Sequence, residues 1–512
     1  MCIERKDCEY GKKEKTIKII VIIILIIIVL VVLCKRIRNV LQINMAQNEG
    51  SNVQSYNTNQ IQDELTELEL NNTVNNYETT VIENVVVPHI DTKTGAKYVT
   101  YEDFGAYADG VNDDYIPIRN AHIYANKNNY EVRTIEEKQY HIFRENEYMP
   151  IIVKTNTNWN NDTFILHDEN IQNKQTKNYP IFQIMSYEEP KIIIDNEILK
   201  NIKVNTGITK IPQLSGNGKC LCIVYNDSKM QFIRYGGNAN SGKKQQDIFR
   251  IDNEGDVLNE IQWNFDSISK IVLIPIPDTK LTIKNANFIT VLHQNGEEQQ
   301  SGYYNRNIAC YRSNCEIQNI NHLLNDGTLI GGPYYGSLKL VQVSDIRIND
   351  CKLTAHKYNK VSNYDLIVEY ACNIEVNNVK QDNLEDNDRW GITGTNYTKD
   401  VIYKNCELNR IDAHSGVHNL TIEDSIVGIR DITVVESGKL NIENVTTLSP
   451  STLVYLRDDY GSTWNGTINI KNCTMAKANN PKIVTFYTNY DNNNQPHNYG
   501  YDLYLPNIQL MD

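Results

Sequence analysis

The stretch VSDIRINDCKL (Val343–Leu353) decides how this chain is built, because its pattern returns in five later copies. These are ACNIEVNNVKQ from Ala371, TKDVIYKNCEL from Thr398, VHNLTIEDSIV from Val417, SGKLNIENVTT from Ser437 and NGTINIKNCTM from Asn465. Aligned on Ile346, Ile374, Val401, Leu420, Leu440 and Ile468, the copies lie 28, 27, 19, 20 and 28 residues apart. Self-similarity at such a period is the signature of stacked units that share one continuous core. Within each copy apolar and polar residues alternate, as in Ile346/Ile348, Leu420/Ile422 and Ile468/Ile470. A period of two sends one set inward and the other to solvent, so each copy reads as a strand. Asp350, Asn378, Asn405, Asp424, Asn444 and Asn472 then mark a corner, where Asn and Asp tolerate left-handed backbone and can bond to their stacked equivalents. Cys351, Cys406 and Cys473 follow and are small enough to fill the core. An earlier copy is expected at Thr279–Phe288, while the repeat is lost over about 200–265, where an insertion is expected.

Upstream, Tyr98–Tyr101 reads as a strand and Asp109-Gly110 as a tight turn. A helix should follow, with Asp113 or Asp114 at its start, Pro117 in its first turn, and Ile118, Ala121, His122 and Ala125 on one face. The whole segment DFGAYADGVNDDYIPIRNAHIYAN (Asp103–Asn126) closely resembles the opening motif of the pectate lyase superfamily, in its rhamnogalacturonase and epimerase-like branch and related phage tailspikes. That resemblance implies a right-handed single-stranded parallel β-helix whose first coil is capped by the helix, and proteins that cleave, epimerise or bind polysaccharide. It covers about two dozen residues and concerns fold more than chemistry. The expected fold is therefore an all-β solenoid over 85–512.

With 50 Lys+Arg against 63 Asp+Glu, the formal charge of -13 repels a phosphate backbone, so nucleic acid is not an expected partner. The cysteines show no paired zinc spacing and are expected as free, buried thiols, the close couples Cys220/Cys222 and Cys310/Cys315 included. Ile19–Cys34 is an unbroken apolar run flanked by Lys12, Lys13, Lys15 and Lys18 before it and Lys35, Arg36 and Arg38 after it. It reads as an uncleaved single-pass membrane anchor, with the basic segment 1–18 cytoplasmic and the polar linker 35–84 and the solenoid outside the membrane.

Chemistry is sought where the copies stack. Arg389, Arg410, Arg430 and Arg457 stand 12, 10, 10 and 11 residues before the aligned positions Val401, Leu420, Leu440 and Ile468, and so are expected on one face. Near them come Trp390, Asp412, Asp431, His414, His418, Asp458, Asp459, Tyr460 and Trp464. Coils about 4.8 Å apart would bring carboxylates to about 5 to 10 Å, the span used in glycoside hydrolysis. The expected catalytic pair is Asp412 with Asp459 or Asp458, assisted by His414. Arg389, Arg410, Arg430, Arg457, Trp390, His418, Tyr460 and Trp464 are expected to hold the sugar. The bland alternative is a polar ladder in which Arg and Asp neutralise one another. The polygalacturonase words NTD, GHG and RIK are absent, and no calcium-ligating set can be placed. No cofactor or metal is expected, and the oligomeric state stays open. The functional expectation is an extracytoplasmic polysaccharide-acting protein, a glycoside hydrolase before a lyase. The alternative is a non-catalytic protein binding a surface or cell-wall polysaccharide.

Overall fold

A computed structural model describes residues 86–511 apart from 143–148, 169–178, 205–208, 234–241, 292–304, 325–334, 355–363, 383, 387–391, 458–463 and 487–506. The chain divides into units 1–73 and 74–512, and every described residue belongs to the second. The apolar run Ile19–Cys34 lies outside the described residues; among those described, no helix is long and apolar enough to cross a membrane.

The described chain winds as a parallel β-helix. Ile346 pairs with Ile374, Ile374 with Val401, Val401 with Leu420, Leu420 with Leu440, Leu440 with Ile468 and Ile468 with Ile508, every pairing parallel. Leu281 and Cys315 extend the same column upstream. All of these residues except Ile508 belong to one continuous buried core. Register is fixed because a slip of one residue would turn every core side chain to water.

Each rung has three short sides. One rung runs through Tyr335–Val341, Ser344–Asn349 and Lys352–Leu353, and the next through Tyr364–Asn377 and Lys380–Gln381. The six corner residues read from the sequence all take left-handed backbone, with φ between 49° and 56°. Asn378 donates to Asp350 at 2.7 Å, Asn444 to Asp424 at 2.8 Å and Asn472 to Asn444 at 3.3 Å, whereas Asn405 donates to Asn377. Behind them Cys351 and Cys406 are free thiols that burial pushes up to about 12 and about 11. A second left-handed ladder, Asp345, Asn373, Asp400 and Asn419, occupies the neighbouring corner.

At the N-terminal end the helix Tyr115–Asn128 buries Ile118, Ala121, His122 and Ala125 against the first coil. Asp114 does not cap it through its side chain; its carboxylate instead accepts from the backbone N–H of Tyr107 at 2.7 Å, pinning the preceding turn.

A second, antiparallel sheet of four strands is made by Lys191–Ile193, Cys220–Ile233, Gly242–Ile251 and Lys270–Pro275. It leans on the corner marked by Asp345 and Asp400. Arg250 and Lys219 both pair with Asp345, at 2.8 and 2.7 Å, and Asn259 donates to Asp400 at 3.2 Å. Leu221, Ile223, Ile248 and Ile274 of this sheet cluster with Cys372 of the solenoid.

Candidate functional site

The strand Ile411–Glu423 slips out of step with both of its neighbours. Between Asp412 and Ser415 it spends three steps where the preceding strand, from Gly394 to Asn396, spends two. From Ala413 to Val417 it spends four against two in the following strand, Val434 to Glu436. Such a bulge re-aims a side chain. Here Ile411 and Ala413 stay in the core while His414 is left half-buried at the outer surface.

His414 enters a polar column that crosses four rungs. The Asn396 Oδ1 accepts from Ser415 Oγ at 2.7 Å and from His414 Nδ1 at 3.1 Å, while its Nδ2 donates to Glu369 at 3.2 Å. Tyr335 donates its hydroxyl to the same carboxylate at 2.6 Å, and Lys339 stands 3.9 Å from the other oxygen. The column follows strand register, since Val341, Glu369, Asn396 and Ser415 are successive partners. Burial and the Glu369 charge push the Tyr335 phenol well above its ordinary value, so it acts as a donor.

One residue further on, Tyr370 and Tyr397 stack with ring centres 5.1 Å apart and planes 6° from parallel. Trp263, from the segment after the lateral strand Gly242–Ile251, packs on the same cluster with Val435. Gly416 lies in register at the turn with φ 64°, and a Cβ there would come within 3.0 Å of the Tyr397 ring.

At the other side of the bulge, Asp412 is only 1% exposed. Arg457 Nη1 donates to its Oδ1 at 3.0 Å, and Arg410 Nη2 stands 3.4 Å from its Oδ2. Two guanidinium groups share this one carboxylate. Asp412 thus organises arginines rather than facing open solvent. Glu436, in register with Val417, is fully buried; burial raises its carboxyl to about 8, although the Gly416 N–H pulls the other way.

The remaining expected residues are distributed as follows. Arg410 and Arg457 converge, but not by equivalence of position. Ile411 pairs with Ile432, which sets Arg410 level with Asp431, and the Arg457 N–H bonds to the Val434 carbonyl, which sets it further along. Arg430 precedes both and lies beside Asp431. The expected common arginine face is therefore replaced by a clamp made from two different positions. His418 does not face the column: it is 8% exposed, held by Ser437 at 3.0 Å and by Glu260 of the lateral segment at 2.9 Å. Trp464 does not offer a stacking face either; it is fully buried in the solenoid core, its Nε1 donating to the Gly438 carbonyl. Arg389, Trp390, Asp458, Asp459 and Tyr460 lie outside the described residues. Among the described residues no cluster of three or more His, Cys, Asp or Glu side chains suits a metal ion.

Glu369, Asn396 and the two tyrosines were not anticipated. Their signal was present, since Glu369-Tyr370 and Asn396-Tyr397 recur at the same interval as Ile374 and Val401.

No family model matches the chain, and no curated protein does. Solved structures do. The tailspike gp61 of Pseudomonas phage phi297 is 10% identical over 76% of this chain and 74% of its own, with a TM-score of 0.44. The Gp54 tailspike of Acinetobacter baumannii bacteriophage AP22, solved with an A. baumannii capsular saccharide, is 11% identical over 84% and 72%, at 0.38. PfbA, a surface adhesin of Streptococcus pneumoniae, is 11% identical over 76% and 90%, at 0.35. At such values the fold rests on this chain's own strand register.

Proposed function

We propose that this chain is a polysaccharide-binding parallel β-helix protein, held outside the cell by the anchor at Ile19–Cys34. The observation that carries the reading is the bulged strand. It sets His414 into a column with Asn396, Glu369 and Tyr335, between a stacked tyrosine pair and the Arg410–Asp412–Arg457 clamp. Hydroxyl-rich chains are recognised by such donors and acceptors, and the Tyr397 ring, 3% exposed, backs the column from within. Guanidinium groups are the side chains that recognise carboxylate or other anionic groups on a glycan. The superfamily resemblance of Asp103–Asn126 points the same way. The test is retention of the protein on a broad panel of neutral and acidic polysaccharides, compared with an Arg457→Ala/His414→Ala variant. Retention of the wild type alone supports the site; no retention on any glycan sinks the reading.

A second reading, glycoside hydrolysis, is favoured by the Glu369 and Asp412 carboxyl groups on either side of His414. Their strands are two rungs apart, about 10 Å, and inverting hydrolysis needs the carboxyl groups themselves at about 6.5–9.5 Å. Asp458 and Asp459 remain in this proposal as further carboxylates. Release of new reducing ends that Glu369→Gln or Asp412→Asn abolishes, with glycan retention kept, would establish it. Retention without any cleavage product leaves the protein a binder.

A further inference from the structure

We infer that Lys399 and Asp247 join through a side-chain amide that ties the lateral sheet covalently to the solenoid. This goes beyond the glycan site and does not depend on it. Lys399 lies on the solenoid strand Ile392–Lys404, and Asp247 on the lateral strand Gly242–Ile251. Their side chains are 1% and 0% exposed, and the Lys399 Nζ lies 2.7 Å from Asp247 Oδ1. Contact at that distance sets the amine beside the carboxyl carbon, with the order already supplied by folding.

The surroundings suit the reaction and its product. Asp247 Oδ2 accepts from two backbone amides, Gln262 N–H at 2.6 Å and Trp263 N–H at 3.1 Å. Oriented N–H pairs of this kind stabilise the oxyanion of a tetrahedral intermediate. The Lys399 Nζ also donates to the Glu260 carbonyl at 2.6 Å. After linkage, the new carbonyl keeps both amide donors and the single new N–H keeps Glu260 as its acceptor. A buried ion pair bears a large desolvation cost, which removal of both charges relieves.

The step balances within the pair. A proton passes from the Nζ ammonium to Oδ1, leaving an amine and a carboxylic acid. The Nζ lone pair then attacks Cγ, and the negative charge collects on Oδ2 under the Gln262 and Trp263 amides. A second proton moves from nitrogen to the Oδ1 hydroxyl, the Cγ–Oδ1 bond breaks, and one water leaves. No oxidant or cofactor is consumed.

The test is tryptic mapping of the full-length protein by mass spectrometry, alongside its intact mass. The expected result is a joined product of peptides 390–404 and 245–250, uncut after Lys399 and lighter by one water than its parts. Lys399→Ala and Asp247→Ala proteins should lack both the joined product and the water deficit at these positions. Recovery of wild-type Lys399 and Asp247 only in separate linear peptides overturns the inference, as does a water deficit mapped to other residues. The wild-type map decides the matter even where either variant fails to accumulate.

Discussion

Arg457 reaches back across two rungs to donate its Nη1 proton to the buried carboxylate of Asp412 at 3.0 Å, while Arg410, just before the strand that carries Asp412, approaches the other oxygen. The clamp locks the outer face of three successive turns. It also fixes the charge that a bound anion would meet.

Asp412→Ala should therefore destabilise the fold, because it removes the carboxylate that two largely buried guanidinium groups share. A loss of about 3–5 kcal/mol is expected, in line with removal of one member of a buried ion pair. Arg457→Gln should cost less, about 1–2 kcal/mol, because its side chain is 15% exposed and Arg410 remains to pair. Urea denaturation of the three proteins gives the order directly; a larger loss for Arg457→Gln than for Asp412→Ala would contradict this account.

The corner ladder separates two contributions. Asn444 combines φ 55° with a 2.8 Å bond to Asp424. Asn444→Gly removes that bond and the one Asn472 donates to Asn444 at 3.3 Å, and keeps the backbone unstrained, for a loss of about 1–2 kcal/mol. Asn444→Ala adds a left-handed alanine, about 1 kcal/mol more. Equal losses from both, read as denaturation midpoints, would show that the left-handed corner carries no cost.

These two cases mark what the sequence discloses. Ile346, Ile374, Val401, Leu420, Leu440 and Ile468, equivalent in the repeat, are the same residues that pair in space, because inward apolar side chains set both the pattern and the register. The Asn/Asp corner was legible for a similar reason, since few residues accept that backbone. The arginine positions were not. Counting back from a strand start assumes equal steps, and the bulge from Asp412 to Val417 adds residues that no alternation reveals. His418 and Trp464 looked available in the sequence, yet one is covered by Glu260, 158 residues away, and the other turns inward. Contacts that distant leave no local periodicity to read.

Glu436 should give the fold a pH dependence of its own. Its carboxyl is held at about 8 by burial, above its ordinary value near 4.5. Below the unfolded value both states are protonated and the group costs nothing. Between about 4.5 and about 8 only the unfolded chain ionises, so stability falls as pH rises, and above about 8 the full cost is present. The penalty is on the order of a few kcal/mol. Glu436→Gln should flatten that slope and raise stability at pH 9 relative to wild type. Parallel stability curves from pH 4 to 9 for both proteins would remove Glu436 as the source.

Gly416 links backbone geometry to the proposed binding face. An alanine there must adopt φ 64° and press its Cβ against the Tyr397 ring at 3.0 Å. Two costs combine: left-handed strain of about 1 kcal/mol, and displacement of Tyr397 from its stack on Tyr370 and from Trp263 and Val435. Because the same turn leads from His414, the displacement should also misplace the imidazole relative to Asn396. Gly416→Ala is thus expected to lose about 1–3 kcal/mol of stability and to weaken glycan retention about tenfold. Tyr397→Leu should weaken retention as well, while relieving the ring part of the clash when combined with Gly416→Ala; the contacts at 3.2 Å to the Tyr397 Cα and N stay. The measurement is a double-mutant cycle in both stability and retention. Additive effects of the two substitutions would show that the glycine is not there to seat the tyrosine.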